Sequence, residues 1–333
     1  MKQRTTIRDV AQKAGVSIGT VSRVVNGHPS VTEARKRAVL EVIAELGFQP
    51  DAAAQSLRRG TNHTIGVIIP DLRNPYFAEL MQRIELRAKT RGYSVLFASS
   101  DEQADSEVAL ITDLVRRKVE GVVLVPSNRA VTIRNPEGVR LVVVDRQIAG
   151  HPFVAADHRA GARAAVEHLV SLGHRHIACI AGPENSYVAA ERLRGYVDVM
   201  TEHFPDMDIA DYVVYTPFNY DGGREAAAGL LDGRGPMPTA VFASSDTQAI
   251  GVLRAAFDRK IAVPQQLSVI GFDGIPMSGL VTPGLTTMAQ PVAQIADCAT
   301  DLLIGKDGVD AREPFIFPCT LVLRESCAPP SRA

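Results

Sequence analysis

The chain has 333 residues, 46% of them hydrophobic, so it can hold a small domain and one or two larger domains, each with its own core. Its formal net charge is −1, but residues 1–60 carry +5 and the rest carry −6. This asymmetry favours a basic head that contacts a polyanion and an acidic body that does not. The chain has no apolar run of about 18 residues and begins MKQRTTIRD, which excludes a secretory core and predicts a soluble cytoplasmic protein.

Two short helices are predicted within the first 26 residues. Apolar residues recur at helical spacing from Ile7 to Ala14 and restart from Val21 to Val25, and Gly15 interrupts the pattern. Thr6 and Asp9 have the spacing of a capping box, which marks the start of the first helix.

The second helix and a third one complete this region. Ser17 can accept hydrogen bonds from the first N–H groups of the second helix. A third apolar face runs from Ala38 to Leu46, after Thr32 as the predicted N-cap and before Gly47 as the terminator. Three such helices are typical of a helix-turn-helix domain, whose second helix enters the major groove of DNA.

From His63 onward, short apolar runs alternate with amphipathic helical stretches. The runs are TIGVII (64–69), SVLFA (94–98), GVVLV (121–125), LVVV (141–144), HIACIA (176–181), YVVY (212–215), AVFA (240–243) and SVIGF (268–272). Buried β-branched runs between helices predict parallel sheets with helices on both faces. Because eight strands would make one large sheet, we predict two sheets of about four to six strands. We expect the chain to change sheet near 158–164 and again near Gln290.

Polar and aromatic side chains follow several of these runs, where the predicted strands end. They are Asp71, Asn74, Tyr76 and Phe77 after the first run, Asp145 and Arg146 after the fourth, Ser245 and Asp246 after the seventh, and Asp273 after the eighth. Ligands of open parallel sheets bind beyond the carboxyl ends of the strands. Carboxylates accept from two hydroxyls, guanidinium groups donate in a fixed fork, and aromatic faces cover the apolar side of a sugar ring. The set predicts a cleft for an uncharged polyhydroxylated ligand, although any single Asp fits a helix N-cap equally well.

Other patterns that could carry chemistry are weak. GVSIG at 15–19 fits the G-x-S-x-G pattern of serine hydrolases, but that turn must follow a strand and here follows the helical stretch RDVAQKA. His168, His174 and His176 lie on or just after one predicted helix without a thiolate or paired carboxylate, so we predict no metal site. No phosphate-binding glycine motif follows a strand, and the four scattered cysteines have no CxxC pair. We therefore predict no nucleotide cofactor, and reduced thiols.

Eight segments resemble the LacI family of transcriptional regulators, and they occur in the order typical of that family. They are TIRDVAQKAGVSIGTVSRVVNGHPSVTEARKRAVLEVIAELGFQPDAAAQSLRRG, TIGVIIPDLRNPYFAEL, VVVDR, RAGARAAVEHLVSLGHRHIACIAGP, ERLRGY, TAVFASSD, IGFDGIP and LTTMAQP. The resemblance implies an α/β protein with an N-terminal three-helix helix-turn-helix head and two doubly wound parallel-sheet subdomains, similar to periplasmic binding proteins. The implied ranges are 1–49 for the head, 50–61 for a hinge helix or linker, and 62–333 for the effector-binding and dimerisation core. Within the core, the implied N-subdomain comprises 62–158 and 290–318, and the implied C-subdomain comprises 159–289 and 319–328.

The resemblance also implies a set of residues that contact operator DNA. The set is Thr6, Ser17, Ile18, Gly19, Thr20, Ser22, Arg23, Asn26, Leu57 and Arg58. Arg23 could bond bidentately to guanine, whereas Gly19 has no side chain with which to recognise a base. For Ser17, Thr20 and Ser22, helix capping or solvent exposure is an equal alternative. Leu57 matches a leucine that related proteins insert into the minor groove, where a wedge kinks the duplex, and Arg58 would meet phosphates nearby.

A second set matches the family's effector site. It comprises Asn74, Tyr76, Phe77, Asp145, Arg146, Arg192, Phe218, Ser245, Asp273 and Gln290. Ser245 stands where the family commonly has Asn, and Val188 is apolar near a position that is polar in purine-responsive relatives. The resemblance therefore favours a pentose such as ribose over a purine base.

The predicted protein is a sequence-specific DNA-binding regulator, a repressor controlled by a small sugar and located on the nucleoid of the cytoplasm. We predict no cofactor and no membrane partner. The resemblance implies a homodimer on a near-palindromic operator, and a dimer is favoured over a tetramer because the C-terminal segment lacks the leucine heptads of tetrameric relatives. Two alternatives come from other classes: a sugar-binding protein without DNA function, and a sugar-active enzyme on the same architecture. The basic head argues against the first. The lack of a recognisable nucleophile, base and orienting group argues against the second, although fold alone does not exclude it.

Overall fold

The structure is a computed structural model that describes residues 5–25, 28, 30–48, 62–127, 139–148, 150–232, 237–305 and 314–331. The chain forms two compact units, Met1–Asn62 and His63–Ala333. The predictions for Asn26, Leu57, Arg58 and the linker at 50–61 concern residues outside the described ranges. The predicted domain ranges stay a prediction.

The first unit contains three helices, α1 (Ile7–Lys13), α2 (Ile18–Val25) and α3 (Glu33–Leu46). Their apolar faces close one small core whose fully buried members are Val10, Ala11, Val21, Val24 and Val39. Ala38 is exposed, so the buried face of α3 begins one residue later than the sequence pattern indicates.

The ends of these helices use the predicted residues. The Asp9 carboxylate accepts from the N–H of Thr6 at 2.7 Å and from its hydroxyl at 2.8 Å. The Ser17 hydroxyl accepts from the N–H of Thr20 at 3.1 Å at the start of α2. Gly47 ends α3 with a left-handed φ of 58°, which a residue without a Cβ adopts at little cost. The three predicted helices and these caps are confirmed.

The second unit contains twelve strands and seven further helices in the described ranges. In chain order they are β1 (Thr64–Ile69), α4 (Pro75–Thr90), β2 (Ser94–Ser99), α5 (Ala104–Arg116), β3 (Gly121–Leu124), β4 (Arg140–Val144), β5 (Phe153–Ala156), α6 (His158–Ser171), β6 (Ile177–Ala181), α7 (Tyr187–His203), β7 (Val213–Tyr215), α8 (Tyr220–Leu231), β8 (Ala240–Ala243), α9 (Asp246–Asp258), β9 (Ser268–Asp273), β10 (Thr286–Ala289), α10 (Val292–Ile304), β11 (Phe315–Phe317) and β12 (Thr320–Val322). Two short 3₁₀ turns lie at Ala210–Tyr212 and Pro276–Gly279. None of the described helices combines the length and apolar character needed to cross a membrane.

The strands form two six-stranded sheets, with orders β11-β5-β4-β3-β1-β2 and β12-β10-β9-β8-β6-β7. Helices α4 and α10 cover one face of the first sheet and α5 covers the other. In the second sheet, α6 and α7 cover one face and α8 and α9 cover the other. The predicted α/β class with two doubly wound sheets is therefore confirmed.

The chain passes between the two sheets three times: after Ala156, after Ala289 and after Phe317. At the third passage β11, parallel to β5, leaves the carboxyl edge of the first sheet and β12 enters the second sheet from its carboxyl edge. A strand that enters from this side must run against its neighbours, and β12 is antiparallel to β10. The sheets are parallel as predicted except at β12, which the sequence analysis did not predict.

Four strands were not predicted from the sequence: β5, β10, β11 and β12. Each has only three or four residues, and β10 reads TTMA, with two hydroxyl side chains where a buried strand usually has apolar ones. Runs this short show no periodicity, so strand prediction there depends on composition alone, which indicated YVVY and AVFA but not these four.

Candidate functional site

The carboxyl ends of the two sheets border one cavity of about 670 Å³, including the solvent at its mouth. Eight of the ten predicted effector residues line it: Asn74, Tyr76, Phe77, Asp145, Arg146, Arg192, Phe218 and Asp273. Ser186, Val188, Asp71 and Glu102 also contribute to its wall. The mixture of aromatic and charged groups in this wall fits a small organic ligand.

Two of the carboxylates in the cavity wall, Asp145 and Asp273, stand on unusual backbone. Asp145 follows β4 with φ 63°, and Asp273 ends β9 with φ 116°. Side chains other than glycine rarely adopt positive φ, and such strain is concentrated at functional sites. Both residues are buried, with exposures of 6% and 5%. The fold thus holds two strained, desolvated acceptors at the ends of strands from different sheets.

Arg192 lies on α7, and the contacts on every side of its guanidinium group hold that group in place. Its Nη2 lies 3.1 Å from Asp273 Oδ1, and its Nη1 donates to the carbonyl of Ser244. The ring of Phe272 covers it at 3.9 Å, and the ring of Phe218 lies at 5.8 Å. Burial raises the pKa of Asp273, although the charge of Arg192 opposes that shift.

The aromatic wall is built at the start of α4. Asn74 caps this helix, its side chain accepting from the N–H of Tyr76 at 3.0 Å, and it also faces the cavity. The rings of Tyr76 and Phe77 meet edge to face at 5.3 Å. The Tyr76 hydroxyl is buried without a hydrogen-bond partner. Burial, followed by the charges of Asp145 and Asp273, raises the pKa of Tyr76 well above its ordinary value, so it is a neutral donor for a ligand oxygen.

Arg146 supplies the second cation of the cavity wall. Burial lowers the pKa of its guanidinium, while the nearby carboxylates of Glu107 and Asp145 act in the opposite direction. Glu107 is wholly buried on α5 and accepts from the backbone N–H of Ser127. Sequence reasoning did not single out Glu107, because nothing in its helix indicates that it faces a residue 39 positions later.

Two predicted effector residues do not line the cavity. Ser245 is the N-cap of α9, where its hydroxyl accepts from the N–H of Gln248 at 3.2 Å. Gln290 lies behind Asp273 and donates to its Oδ1 at 2.9 Å. Both residues support the site from outside its wall, and the effector contact predicted for them stays a prediction.

In the first unit, one face of α2 is exposed to solvent. Ser17, Ile18, Gly19 and Arg23 are exposed, whereas Val21 on the opposite face is fully buried. Thr20 and Ser22 are half-buried, and the Thr20 hydroxyl lies 3.0 Å from that of Ser17. Ser17 thus caps a helix that follows a helix and a turn, which is not the strand-turn-helix geometry of a hydrolase elbow. The exposed face is the one available for DNA.

The remaining reactive side chains do not converge. His174 contacts Thr239 and Ser268, and His176 contacts Tyr212. No cluster of His, Cys, Asp or Glu suited to a metal occurs in the part of the chain that the structure describes. The four cysteines are free thiols, and burial raises the pKa of each of them.

Comparison with known proteins accounts for both units. Residues 6–51 match the description "Bacterial regulatory proteins, lacI family", and residues 166–327 match "Periplasmic binding protein-like domain". The ribose operon repressor of Halalkalibacterium halodurans is 37% identical over 325 residues, which cover 97% of each chain. The catabolite control protein A of Priestia megaterium is 37% identical over 318 residues, covering 92% of this chain and 94% of that protein. The chain belongs to the LacI family of bacterial regulatory proteins.

Solved structures of the LacI family extend this likeness to the fold. A lac repressor dimer bound to operator and the anti-inducer ONPF has a TM-score of 0.88 at 27% identity and covers 98% of this chain and 100% of its own. A LacI-family regulator from Enterococcus faecium with bound ribose has a TM-score of 0.69 at 28% identity, covering 80% of this chain and 99% of its own. The predicted family, DNA-binding head and regulatory function are confirmed.

Asp246 of this LacI-family regulator is a buried carboxyl group that sequence reasoning placed only at a strand end. Its Oδ1 accepts from the Thr287 hydroxyl at 2.5 Å and its Oδ2 accepts from the N–H of Ile275 at 2.9 Å. Burial, together with the charge of Asp273, raises the pKa of Asp246 to about 8. The folded protein therefore binds a proton that the unfolded chain releases near pH 3.8. The stability that this proton contributes is complete below about pH 4 and is lost as the pH rises to about 8.

Replacing Asp246 by asparagine should flatten this dependence. We expect the free energy of unfolding of the wild type to fall by roughly 1–2 kcal/mol between about pH 6 and about pH 8 through this group. Asparagine stays neutral, and its amide can satisfy Ile275 and Thr287 if the hydroxyl turns to accept. Urea unfolding at both pH values measures the change, with Asp211→Asn as the control at an exposed carboxylate. If the free energy of unfolding depends equally on pH in the wild type and in the Asp246 variant, Asp246 is not the group that binds the proton. A small remaining pH dependence of the same sign in the variant is expected from Asp273, whose pKa is also raised.

Proposed function

We propose that this LacI-family regulator is a repressor whose operator affinity is lowered by an uncharged sugar, with a pentose such as ribose favoured. The observation that carries the proposal is the cavity between the sheet ends. Asp145 and Asp273 offer acceptors to ring hydroxyls, Arg192 offers donors, and Phe77 and Phe218 offer aromatic faces to the apolar side of a sugar ring.

The charges of the cavity support an uncharged ligand. Arg192 is already paired with Asp273 at 3.1 Å, and Arg146 lies in the field of Glu107 and Asp145. A phosphorylated sugar would bring charge into a site whose buried carboxylates repel it, and an unmatched buried charge is costly. A neutral sugar satisfies the same groups through hydrogen bonds alone.

The relatives support the choice of ribose. One relative is a ribose operon repressor, and one solved neighbour of similar fold contains bound ribose. The two relatives reported above are a repressor and a control protein, which supports the absence of catalytic activity. We place the protein on the nucleoid, where its operator lies.

The proposed regulator acts as a homodimer on a near-palindromic operator, as supported by the operator-bound dimer among its structural neighbours. A sugar changes operator affinity only if two states of this dimer bind the sugar unequally. Release of DNA is the proposed direction, because an operon for sugar breakdown needs its substrate as the inducer.

A thermal-shift screen with pentoses, hexoses and nucleosides tests the ligand. A sugar at about 100 times its dissociation constant should stabilise the native state by about 2.7 kcal/mol and so raise the melting temperature. The ligand found is then added to the protein bound to an operator fragment selected from random DNA, with fluorescence anisotropy as the readout. We expect release of the DNA, and a steep fall of operator affinity with salt as counterions are released.

Each alternative has its own outcome in these measurements. A shift with nucleosides and not with sugars would contradict the sugar assignment, and tighter operator binding with ligand would reverse the direction of control. An affinity for DNA that does not change with salt would contradict DNA binding through the basic head.

A further inference from the structure

His158 lies behind the cavity wall, at the point where the chain leaves the first sheet for the second. It is the first residue of α6 and only 4% exposed. Asp157 caps the helix by accepting from the N–H of Ala160 at 2.9 Å, which fixes the backbone at this point. The ring therefore has a defined position between the ends of the two sheets.

One ring nitrogen of His158 faces Arg192. The Nε and Nη2 atoms of Arg192 lie 3.4 Å and 3.3 Å from Nδ1 of His158. A guanidinium group has N–H donors and no acceptor, so Nδ1 must receive these bonds with its lone pair. A proton on Nδ1 would point at the N–H groups of Arg192. With Nδ1 as the acceptor, the ring carries its proton on Nε2.

The other ring nitrogen faces the second carboxylate of the cavity. His158 Nε2 lies 3.5 Å from Asp145 Oδ1, and neither atom has a hydrogen-bond partner among the described residues. An N–H···O bond has its donor and acceptor at about 2.7–3.2 Å, so this pair is a few tenths of an ångström too far apart. Buried polar groups left without a partner are costly, which favours any small shift that closes the gap.

His158 also completes a polar chain that joins both sheets. The chain runs from Asp145 at the end of β4 through His158 and Arg192 to Asp273 at the end of β9. Gln290, at the second passage between the sheets, bonds to Asp273 at its far end. The charged groups that face the imidazole are Asp145 and Asp273, which are acidic, and Arg192, which is basic.

Given the sugar-binding function proposed above, we propose that His158 is a positioning residue of the effector site. Its Nδ1 holds Arg192 from the side, and its Nε2–H donates to Asp145 when a sugar draws the two walls together. The sugar then meets a carboxylate and a guanidinium group whose directions are set by one imidazole ring. Sugar affinity depends on His158 although its side chain does not line the cavity.

Three substitutions separate the two roles of the ring. His158→Phe keeps the ring shape and removes both nitrogens. His158→Asn keeps a polar atom near the position of Nδ1, facing Arg192, and His158→Gln keeps an N–H near the position of Nε2, facing Asp145. Isothermal titration with D-ribose on the full-length protein should show an affinity about tenfold to a hundredfold lower for the Phe variant. The Asn and Gln variants should each recover part of that loss.

His174 supplies the matched control. It is also fully buried, at 1% exposure, and hydrogen-bonded in the second sheet, where its Nε2 lies 3.0 Å from the Ser268 hydroxyl. His174→Phe should lower the melting temperature without changing ribose affinity in the folded protein. Wild-type affinity in His158→Phe, or equal affinity losses in all three His158 variants, would overturn the positioning role.

A spectroscopic measurement on the wild type tests the same contact without comparing affinities. In ¹⁵N-histidine-labelled wild type, the His158 signal, assigned by its absence in the Asn or Gln variant, should show a neutral ring with its proton on Nε2. A proton on Nδ1 would overturn the inference. If the wild type binds neither D-ribose nor any sugar of the thermal-shift screen, the proposed function fails, whereas the ring's protonation pattern still tests the contact with Arg192.

Discussion

Replacing Arg192 by leucine should abolish sugar binding and lower the free energy of unfolding by about 3–5 kcal/mol. The substitution removes a buried cation and leaves Asp273, at 5% exposure, without its ion pair. It also leaves the carbonyl of Ser244 without its donor and Phe272 without the group that it covers. Titration with ribose and urea unfolding measure the two effects.

The pH dependence of this loss tests its cause. Burial already raises the pKa of Asp273, and removing Arg192 removes the charge that opposes that shift. Asp273 should then take up a proton more readily, so the destabilisation should be smaller in mild acid than at neutral pH. Arg194→Leu is the matched control, because this arginine lies on the same helix, is exposed and pairs only with Glu191 three residues earlier among the contacts described. Normal ribose affinity in the Arg192 variant would remove Arg192 from the site.

Replacing Arg23 by alanine should weaken binding to the selected operator by about 1–3 kcal/mol and relax the base preference at one position of each half-site. Arg23 is exposed in the last turn of α2, on the face opposite the buried Val21 and Val24. An arginine that bonds bidentately to guanine contributes both affinity and discrimination, and a small side chain contributes neither. Anisotropy titrations against operator and scrambled DNA give the two affinities.

A charge-matched control separates base recognition from simple charge loss. Arg37 is exposed on α3, so Arg37→Ala removes the same charge from another helix. That variant should lose affinity for operator and scrambled DNA to a similar extent, with a smaller salt dependence. If Arg23→Ala also loses both affinities equally, Arg23 contacts phosphate and the base preference is set elsewhere.

Local patterns predicted the three helices of the first unit and eight of the twelve strands described in the second. Residues within one turn of each other define a cap, so the pair Thr6 and Asp9 and the pair Ser17 and Thr20 were readable from spacing alone. Apolar runs of four to six residues between helical stretches predicted eight strands. The positions of β11 and β12 depend on the chain's path between the two sheets, which no local pattern shows.

The sequence predicted only part of the site, because local patterns do not show contacts between distant residues. Asp145 and Asp273 were found because a polar residue directly after a buried strand has a known location in a parallel sheet. His158 was missed as a site residue, because its two partners lie 13 residues earlier and 34 residues later and no local pattern links them. Ser245 and Gln290 were predicted as effector contacts from family position, but their depth relative to the cavity wall depends on packing that the sequence does not display.

The structure adds the packing around Gly19, on the exposed face of α2, to what the sequence indicated. A Cβ on Gly19 would meet nothing closer than the Ser17 hydroxyl at 3.7 Å, so packing within the head does not require glycine there. Glycine within a helix costs about 1 kcal/mol relative to alanine. Although a side chain would fit there, Gly19 offers none to the bases, so this part of the helix recognises few bases directly.

The left-handed backbone at Asp145 and Asp273 limits how the specificity of this regulator can change during evolution. Glycine, asparagine and aspartate tolerate φ values of this kind, whereas most other side chains add strain, and branched ones add the most. The two acceptor positions therefore have a narrow set of viable substitutions. Val188, which lies on a regular helix, and Phe218, whose backbone φ is not positive, have no such restriction. A new ligand preference should arise first by substitution of Val188 or Phe218, while Asp145 and Asp273 are retained when the effector changes.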